Sequence, residues 1–232
     1  MTTVLQIDAS ARSGRSGEAA HGSHTRRLTH RFVQHWRALR PDDEVLYRDV
    51  GVRPPRPVTG DWIHAAFTAP EAREPWMRAA LAESDALVAE LKTADVIVIG
   101  APMYNFGPPA QLKAWIDNVA RVGLTFGFDR SREGEPYWPL LAGQGKTLVV
   151  LTARGDHGYD AGGRIADLEL VTPSLAKPLA YLGITDLRTV AVEYDEFADE
   201  RLAASLCEAE ASVSALAETM VRERSEERAR VA

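Results

Sequence analysis

Three stretches of the chain hold residues suited to chemistry, and each follows a short apolar run. The first starts at Ser10, passes through Ala11-Arg12-Ser13-Gly14-Arg15-Ser16-Gly17, and reaches Ser23-His24-Thr25 just ahead of a helical pattern. Hydroxyls and free amides at a helix start suit a phosphate, because those amides lack partners and the helix dipole favours an anion. A plain N-cap by Ser23 or Thr25 would need the same residues. The stretch matches neither G-x-G-x-x-G nor G-x-x-x-x-G-K-[ST], which weakens the dinucleotide and P-loop readings. The second stretch is Pro102-Met103-Tyr104-Asn105-Phe106-Gly107-Pro108-Pro109. Met103, Tyr104 and Phe106 could pack on the rings of a planar ligand while Asn105 hydrogen-bonds its edge, a usual pocket mixture of apolar walls and few polar groups. The third is Ala153-Arg154-Gly155-Asp156-His157-Gly158-Tyr159. His157 and Tyr159 could donate to an acceptor atom or could simply serve the loop.

Alternating strands and helices would have to position these stretches. Val4 to Ala9 reads as a strand, followed by a helix whose apolar residues Leu28, Phe32, Val33 and Trp36 share one face. Glu44 to Val50 reads as a second strand. Val96-Ile97-Val98-Ile99-Gly100 is wholly apolar, as a central parallel strand covered on both faces should be. Leu112, Trp115, Ile116 and Val119 mark the next helix, and Thr147 to Thr152 the next strand. Leu187 to Tyr194 is the last strand and Leu202 to Val221 the last helix. Strands joined by helical crossovers make an open α/β sheet, whose ligands bind beyond the carboxyl ends of its strands.

Two segments exceed this minimal unit. Gly51 to Trp76 is proline-rich and holds Trp62, Phe67 and Trp76; Gly127 to Gly145 holds Phe128, Tyr137 and Trp138. Long loops in a compact domain are usually functional or interfacial. Gly143-Gln144-Gly145-Lys146-Thr147 resembles a nucleotide loop only superficially, since it precedes a strand, and it reads as a turn. Residues 1–221 make one domain, and 222–232 a charged C-terminal tail whose signs alternate from Arg222 to Arg228.

Composition narrows the function classes. The 232 residues are 45% hydrophobic, enough for a full core. Lys and Arg number 27 against 33 Asp and Glu, a net charge of −6 that argues against a nucleic-acid footprint. The one cysteine, Cys207, can form neither an internal disulfide nor a cysteine zinc site, and the six histidines show no metal-ligand spacing. No leader pattern and no apolar run of membrane-spanning length is visible, so the expected location is cytoplasmic, without a membrane partner.

Pro102-Met103-Tyr104-Asn105-Phe106, the following Pro-Ala-Gln-Leu-Lys-Ala-Trp-Ile-Asp, and Val119-Ala120-Arg121-Val122-Gly123-Leu124-Thr125-Phe126 resemble the FMN-dependent NADH-azoreductases, also described as FMN-dependent NADH:quinone oxidoreductases. The resemblance runs from the first strand to Tyr181-Leu182-Gly183-Ile184-Thr185-Asp186. It implies a flavodoxin-like open parallel five-stranded sheet of order 2-1-3-4-5 with helices on both faces, and a homodimer with FMN at the subunit interface. It implies that Ser10, Ser23, His24 and Thr25 hold the phosphate, and that Pro102, Met103, Tyr104, Asn105 and Phe106 hold the isoalloxazine ring. The second flavin loop of the family reads Ser-Arg-Gly-Gly, where this chain has Ala153, Arg154, Gly155 and Asp156. The implied reaction takes two electrons from NADH or NADPH to a quinone, or reductively cleaves an azo compound, in ping-pong order and without a covalent side-chain nucleophile. The alternatives are a flavodoxin-like electron carrier with no small-molecule substrate of its own, and a cofactor-free regulatory α/β domain.

Overall fold

The apolar runs pair side by side in one parallel sheet. The computed structural model describes residues 1–231; Ala232, the last residue of the expected tail, lies outside the described residues. In chain order the elements are β1 (Thr3–Asp8), α1 (His24–Leu39), β2 (Glu44–Asp49), α2 (Gly60–Phe67), α3 (Pro75–Thr93), β3 (Val96–Pro102), α4 (Ala110–Val119), β4 (Phe126–Phe128), β5 (Tyr137–Pro139), β6 (Thr147–Ala153), α5 (Val171–Leu182), β7 (Asp186–Val192) and α6 (Glu200–Val231). The sheet order is β2-β1-β3-β6-β7, all parallel. Counting only these five strands, that is the expected order 2-1-3-4-5.

Alternation along the strands decides which helices go where. Ile97 and Ile99 of β3 face one side with Leu5, Ile7, Leu148 and Val150, under α3, α4 and α5. Val96 and Val98 face the other with Val4, Val149 and Leu151, under α1 and α6. All of β3 and β6 is buried, which accounts for runs with no polar alternation. Each fully buried Val, Ile or Leu contributes about 1.5–3 kcal/mol relative to exposure. Leu28, Phe32, Val33 and Trp36 are the buried face of α1, as their spacing predicts, and Ala209, Val213, Ala217 and Met220 of α6 join the same core.

The two long segments are partly ordered. Thr59 caps α2 by accepting from the Trp62 amide, and Trp62 packs on Ala65, Ala66, Met77 and Leu81. The expected 51–76 loop is thus half helix, whereas Phe67 and Trp76 stay exposed. Gly127 to Gly145 holds the antiparallel β4–β5 hairpin, on which Phe128 and Tyr137 stack with ring centroids 4.7 Å apart. Lys146, in the turn before β6, donates from Nζ to the Lys92 and Ala94 carbonyls and so closes the end of α3. Helix α6 does not stop at Val221 but continues to Val231. Arg224 donates to the Asp95 carbonyl and Arg228 to the Met1 carbonyl, contacts that alternating charges alone did not reveal. Among the described residues no helix is long and apolar enough to cross a membrane.

Candidate functional site

The carboxyl ends of β1, β3, β6 and β7 open on one side, and a cleft of about 220 Å³ lies among the loops that follow them. Ser10, Ser23 and His24 line it from the β1–α1 loop, Pro102, Met103 and Tyr104 from the end of β3, and Ala153 and Gly155 from the end of β6.

The β1–α1 loop is folded on its own backbone. Ser23 N–H donates to Gly14 O (2.7 Å) and Ser16 N–H to Ser23 O (3.2 Å). Gly22 is required here, since a Cβ on it would lie 2.1 Å from the Arg15 backbone. Ser23 caps α1 by accepting from the Arg26 amide at 3.3 Å. Its hydroxyl also meets that of Thr25 at 3.0 Å. The cap and the cleft wall are therefore the same residue, and the leading amides of α1 remain without intrahelical acceptors. Thr25 is wholly buried behind Ser23 and does not reach the wall.

Arg26 anchors this loop to the sheet. It is buried, pairs bidentately with Asp49 (2.7 Å to each oxygen) and donates to the Ser10 carbonyl at 2.8 Å. Burial pushes the nearby Asp8 carboxyl up, against the hydrogen bond from Thr29 and the charge of Arg26.

The loop after β3 makes a two-residue turn. Tyr104 and Gly107 exchange N–H···O bonds of 2.9 and 3.1 Å, while Asn105 (φ 48°) and Phe106 (φ 71°) both have left-handed backbones. Asn tolerates that region; for Phe it is strained, a state found at functional loops. Asn105 and Phe106 stand exposed at the turn tip, outside the cleft wall. The Tyr104 hydroxyl accepts from the Ala11 amide at 3.2 Å and so ties this loop to the β1–α1 loop.

The loop after β6 divides its residues. Arg154 is buried with its guanidinium turned to Asp160 (2.8 Å) and Glu193 (3.2 Å), away from the cleft. Asp156 also lies off the wall. Hydrogen bonding from Arg164, then from the His157 amide, holds its carboxyl down at about 2. His157 stacks on Tyr194 at 4.7 Å, and Tyr159 is buried near Arg154, so neither borders the cleft.

Three cleft residues were not singled out from sequence. Arg12 lines it from the β1–α1 loop, and Asp195 and Glu196 from the loop after β7. The strand-end rule, applied to the fifth strand as it was to the others, would have found the latter two. His24 Nε2 lies 3.1 Å from Asp195 Oδ1, and this hydrogen bond keeps the Asp195 carboxyl below the usual range. The other ring nitrogen, Nδ1, is buried and has no protein partner. Among the described residues no cluster of three His, Cys, Asp or Glu could hold a metal.

The cleft joins hydroxyls and helix-start amides at one end to an apolar wall with a strained turn at the other. That arrangement fits a planar ligand carrying one phosphate. A family model described as a flavodoxin-like fold matches residues 2–213. An FMN-dependent NADH:quinone oxidoreductase of Idiomarina loihiensis is 42% identical over 94% of this chain and 90% of its own length. An FMN-dependent NAD(P)H:quinone oxidoreductase of Pseudomonas aeruginosa is 39% identical over 94% of this chain and 99% of its own. The crystal structure of an azoreductase from Bacillus anthracis superposes with a TM-score of 0.75 at 26% identity, covering 92% of this chain and 99% of the other.

Proposed function

Because this chain belongs to the flavodoxin-like family that includes the FMN-dependent NADH:quinone oxidoreductases and azoreductases, we propose that it transfers two electrons from NADH or NADPH to quinones and cleaves azo compounds reductively, in ping-pong order. The observation that carries the reading is the cleft that sets Ser10, Ser23 and His24 opposite Pro102, Met103 and Tyr104. One domain, residues 1–221, carries the activity.

FMN, when bound, supplies the hydride-accepting and two-electron-donating ring; the protein positions it and excludes side reactions. Ser10, Ser23, His24 and the first amides of α1 would hold the phosphate, with Thr25 meeting the Ser23 hydroxyl from behind. Pro102, Met103 and Tyr104 would wall the isoalloxazine, and Asn105 and Phe106, on the turn just outside the cleft, would meet its outer edge. Ala153 and Gly155, which line the same cleft, would border the ring. Arg154 and Asp156 act through backbone, since their side chains are committed elsewhere. A single cleft beside the ring would make donor and acceptor take turns, which would give the ping-pong order.

The chain also works as a homodimer. Support comes from exposed apolar surface in two places, Tyr104 (38% exposed), Phe106 (45%) and Leu170 beside this mouth, and Tyr137 with Tyr181 where the β4–β5 hairpin meets the end of α5, surface that a monomer would leave in water. Light scattering should give about twice the 25.4 kDa chain mass.

The deciding experiment uses the purified full chain under anaerobic conditions. Flavin absorbance bands should be present, NADH should bleach them, and a benzoquinone or an azo dye should restore them. Bands that NADH leaves unchanged would favour the electron carrier. A colourless protein that takes up no FMN would overturn both readings.

A further inference from the structure

The loop after β7 brings two carboxylates to the cleft, and only one of them has partners there. Asp195 meets His24 Nε2 at 3.1 Å and Arg12 Nη1 at 3.9 Å. Glu196 is exposed, lines the same cleft, and makes no side-chain hydrogen bond or ion pair among the described residues. Arg154 of the adjacent loop is already engaged by Asp160 and Glu193.

Backbone contacts fix where Glu196 stands. Its N–H donates to Gly155 O (3.1 Å), beside the bonds from Asp195 N–H to Arg154 O (3.2 Å) and from Tyr194 N–H to Asp156 O (3.3 Å). Tyr194 stacks on His157 with ring centroids 4.7 Å apart, and Phe197 packs edge-on against Tyr194 at 5.7 Å, so an aromatic brackets the two acidic residues on each side. Arg201 lies over Phe197 at 4.2 Å and holds the outer side of the loop. The Glu196 side chain then runs along Gly155. Its Cγ, Cδ and Oε1 are 2.9, 2.7 and 2.6 Å from the point where a β-carbon on residue 155 would stand. Gly155 lines the cleft with Ala153, so the carboxylate lies on the stretch of wall that would border the ring.

A fixed charge at this place matters to a ligand whose own charge changes. Hydride transfer from NADH brings two electrons and one proton and leaves NAD+, so the flavin ring gains one negative charge. A neighbouring carboxylate opposes that gain by Coulomb repulsion, which is stronger in a partly dry cleft than in water. By linkage, a site that binds the reduced ring less well than the oxidised one lowers the reduction potential of the bound flavin.

We propose that Glu196 is an electrostatic residue of the cofactor site, and that its carboxylate makes the bound FMN a stronger reductant. The inference rests on the FMN reading above and adds to it a residue that sets the driving force toward the quinone or azo acceptor. One unit charge about 6–10 Å away, at an effective dielectric constant of about 20, shifts the equilibrium between oxidised and reduced forms roughly ten- to a hundredfold. For two electrons that is about 30–60 mV in midpoint potential. Because Glu196 is exposed, salt screens part of the effect.

The test is an anaerobic redox titration of the FMN-loaded full chain, followed by its flavin absorbance, in about 0.05 M and again in about 1 M salt. Glu196→Gln should raise the midpoint by about 30–60 mV, Glu196→Lys should raise it further, and Glu196→Asp should stay near the parent. High salt should narrow the spread among the variants. Glu208→Gln, which removes the same charge from an exposed position on α6, should leave the potential where it was. The Glu196 side chain has no partner to lose, so thermal melts of the four variants should match the parent and separate a change in potential from a change in fold. Midpoints that do not follow the charge at residue 196, or a shift in Glu208→Gln as large as that in Glu196→Gln, would overturn the proposal; the FMN reading stands so long as NADH bleaches the parent. A parent chain that takes up no FMN would overturn both.

Discussion

Asn105 offers the sharpest test of where the flavin ring lies, provided the replacement respects the backbone. Its φ of 48° and the 71° of Phe106 make the turn between Tyr104 and Gly107 left-handed at both central positions. Alanine would remove the amide and also incur about 1–2 kcal/mol of left-handed strain, so a loss of flavin could not be told from a loss of the turn. Glycine adopts that region freely. Asn105→Gly therefore deletes only the side chain, which is exposed and has no hydrogen-bond partner among the described residues. If the amide contacts the ring edge, its loss leaves a polar group unpaired at a cost of about 1–3 kcal/mol. At 1.4 kcal/mol per decade that is roughly 5–150-fold in the FMN dissociation constant. The assay is a fluorescence titration of flavin-free protein with FMN, paired with thermal melts of the same flavin-free samples. Weaker FMN with an unchanged melt is the expected pair of results. A glycine variant that binds FMN as the parent does would show that the ring does not lie against this turn.

Three further outcomes follow from the same geometry. Phe106→Gly should raise the melting temperature by about 2–8 °C by releasing left-handed strain of ~1–2 kcal/mol, while KM for a quinone rises; a lower melt would mean that the half-exposed ring packs more than it strains. Arg26→Ala should cost about 3–5 kcal/mol, because Asp49 and Asp8 would be left without their buried counter-ion; a thermal shift of under a degree would contradict the anchoring role. Asp156 should titrate at about 2 by NMR, and Arg164→Ala should raise that value toward the ordinary carboxylate range. In sign, the stabilisation from this pair is present above the ordinary carboxylate pKa and is lost as pH falls through about 2. An unmoved titration in the variant would mean that the Arg164 contact is not made in solution.

The sheet was legible because burial on both faces leaves a plain signature. Val96 to Gly100 and Thr147 to Thr152 are apolar at every position or nearly so, and the structure buries both. Helix ends and loop interiors were less legible. Arg222 to Arg228 read as a solvated end by charge alternation, whereas Arg224 and Arg228 find backbone carbonyls that only the folded chain brings near. In the site, residue type located the strand-end loops but not the direction of each side chain. Arg154 turns toward Asp160 of its own loop and Glu193 of the loop after β7, and Asp156 toward Arg164, because the β6–α5 loop folds back on itself in a way that residue type does not announce. Asp195 and Glu196 have no periodicity to mark them, and only their place just beyond the carboxyl end of the last strand points to the cleft.

The strand order leaves β2 and β7 outermost, with one row of backbone groups on each facing away from the sheet. Such edges invite other chains to extend the sheet unless charge discourages it. Both edges are charged. Glu44, Arg48 and Asp49 are in β2, with Arg48 tied to Glu90, and Asp186 and Arg188 are in β7, with Arg188 also near Glu223. Indefinite growth strand on strand is thereby suppressed at both ends of the sheet.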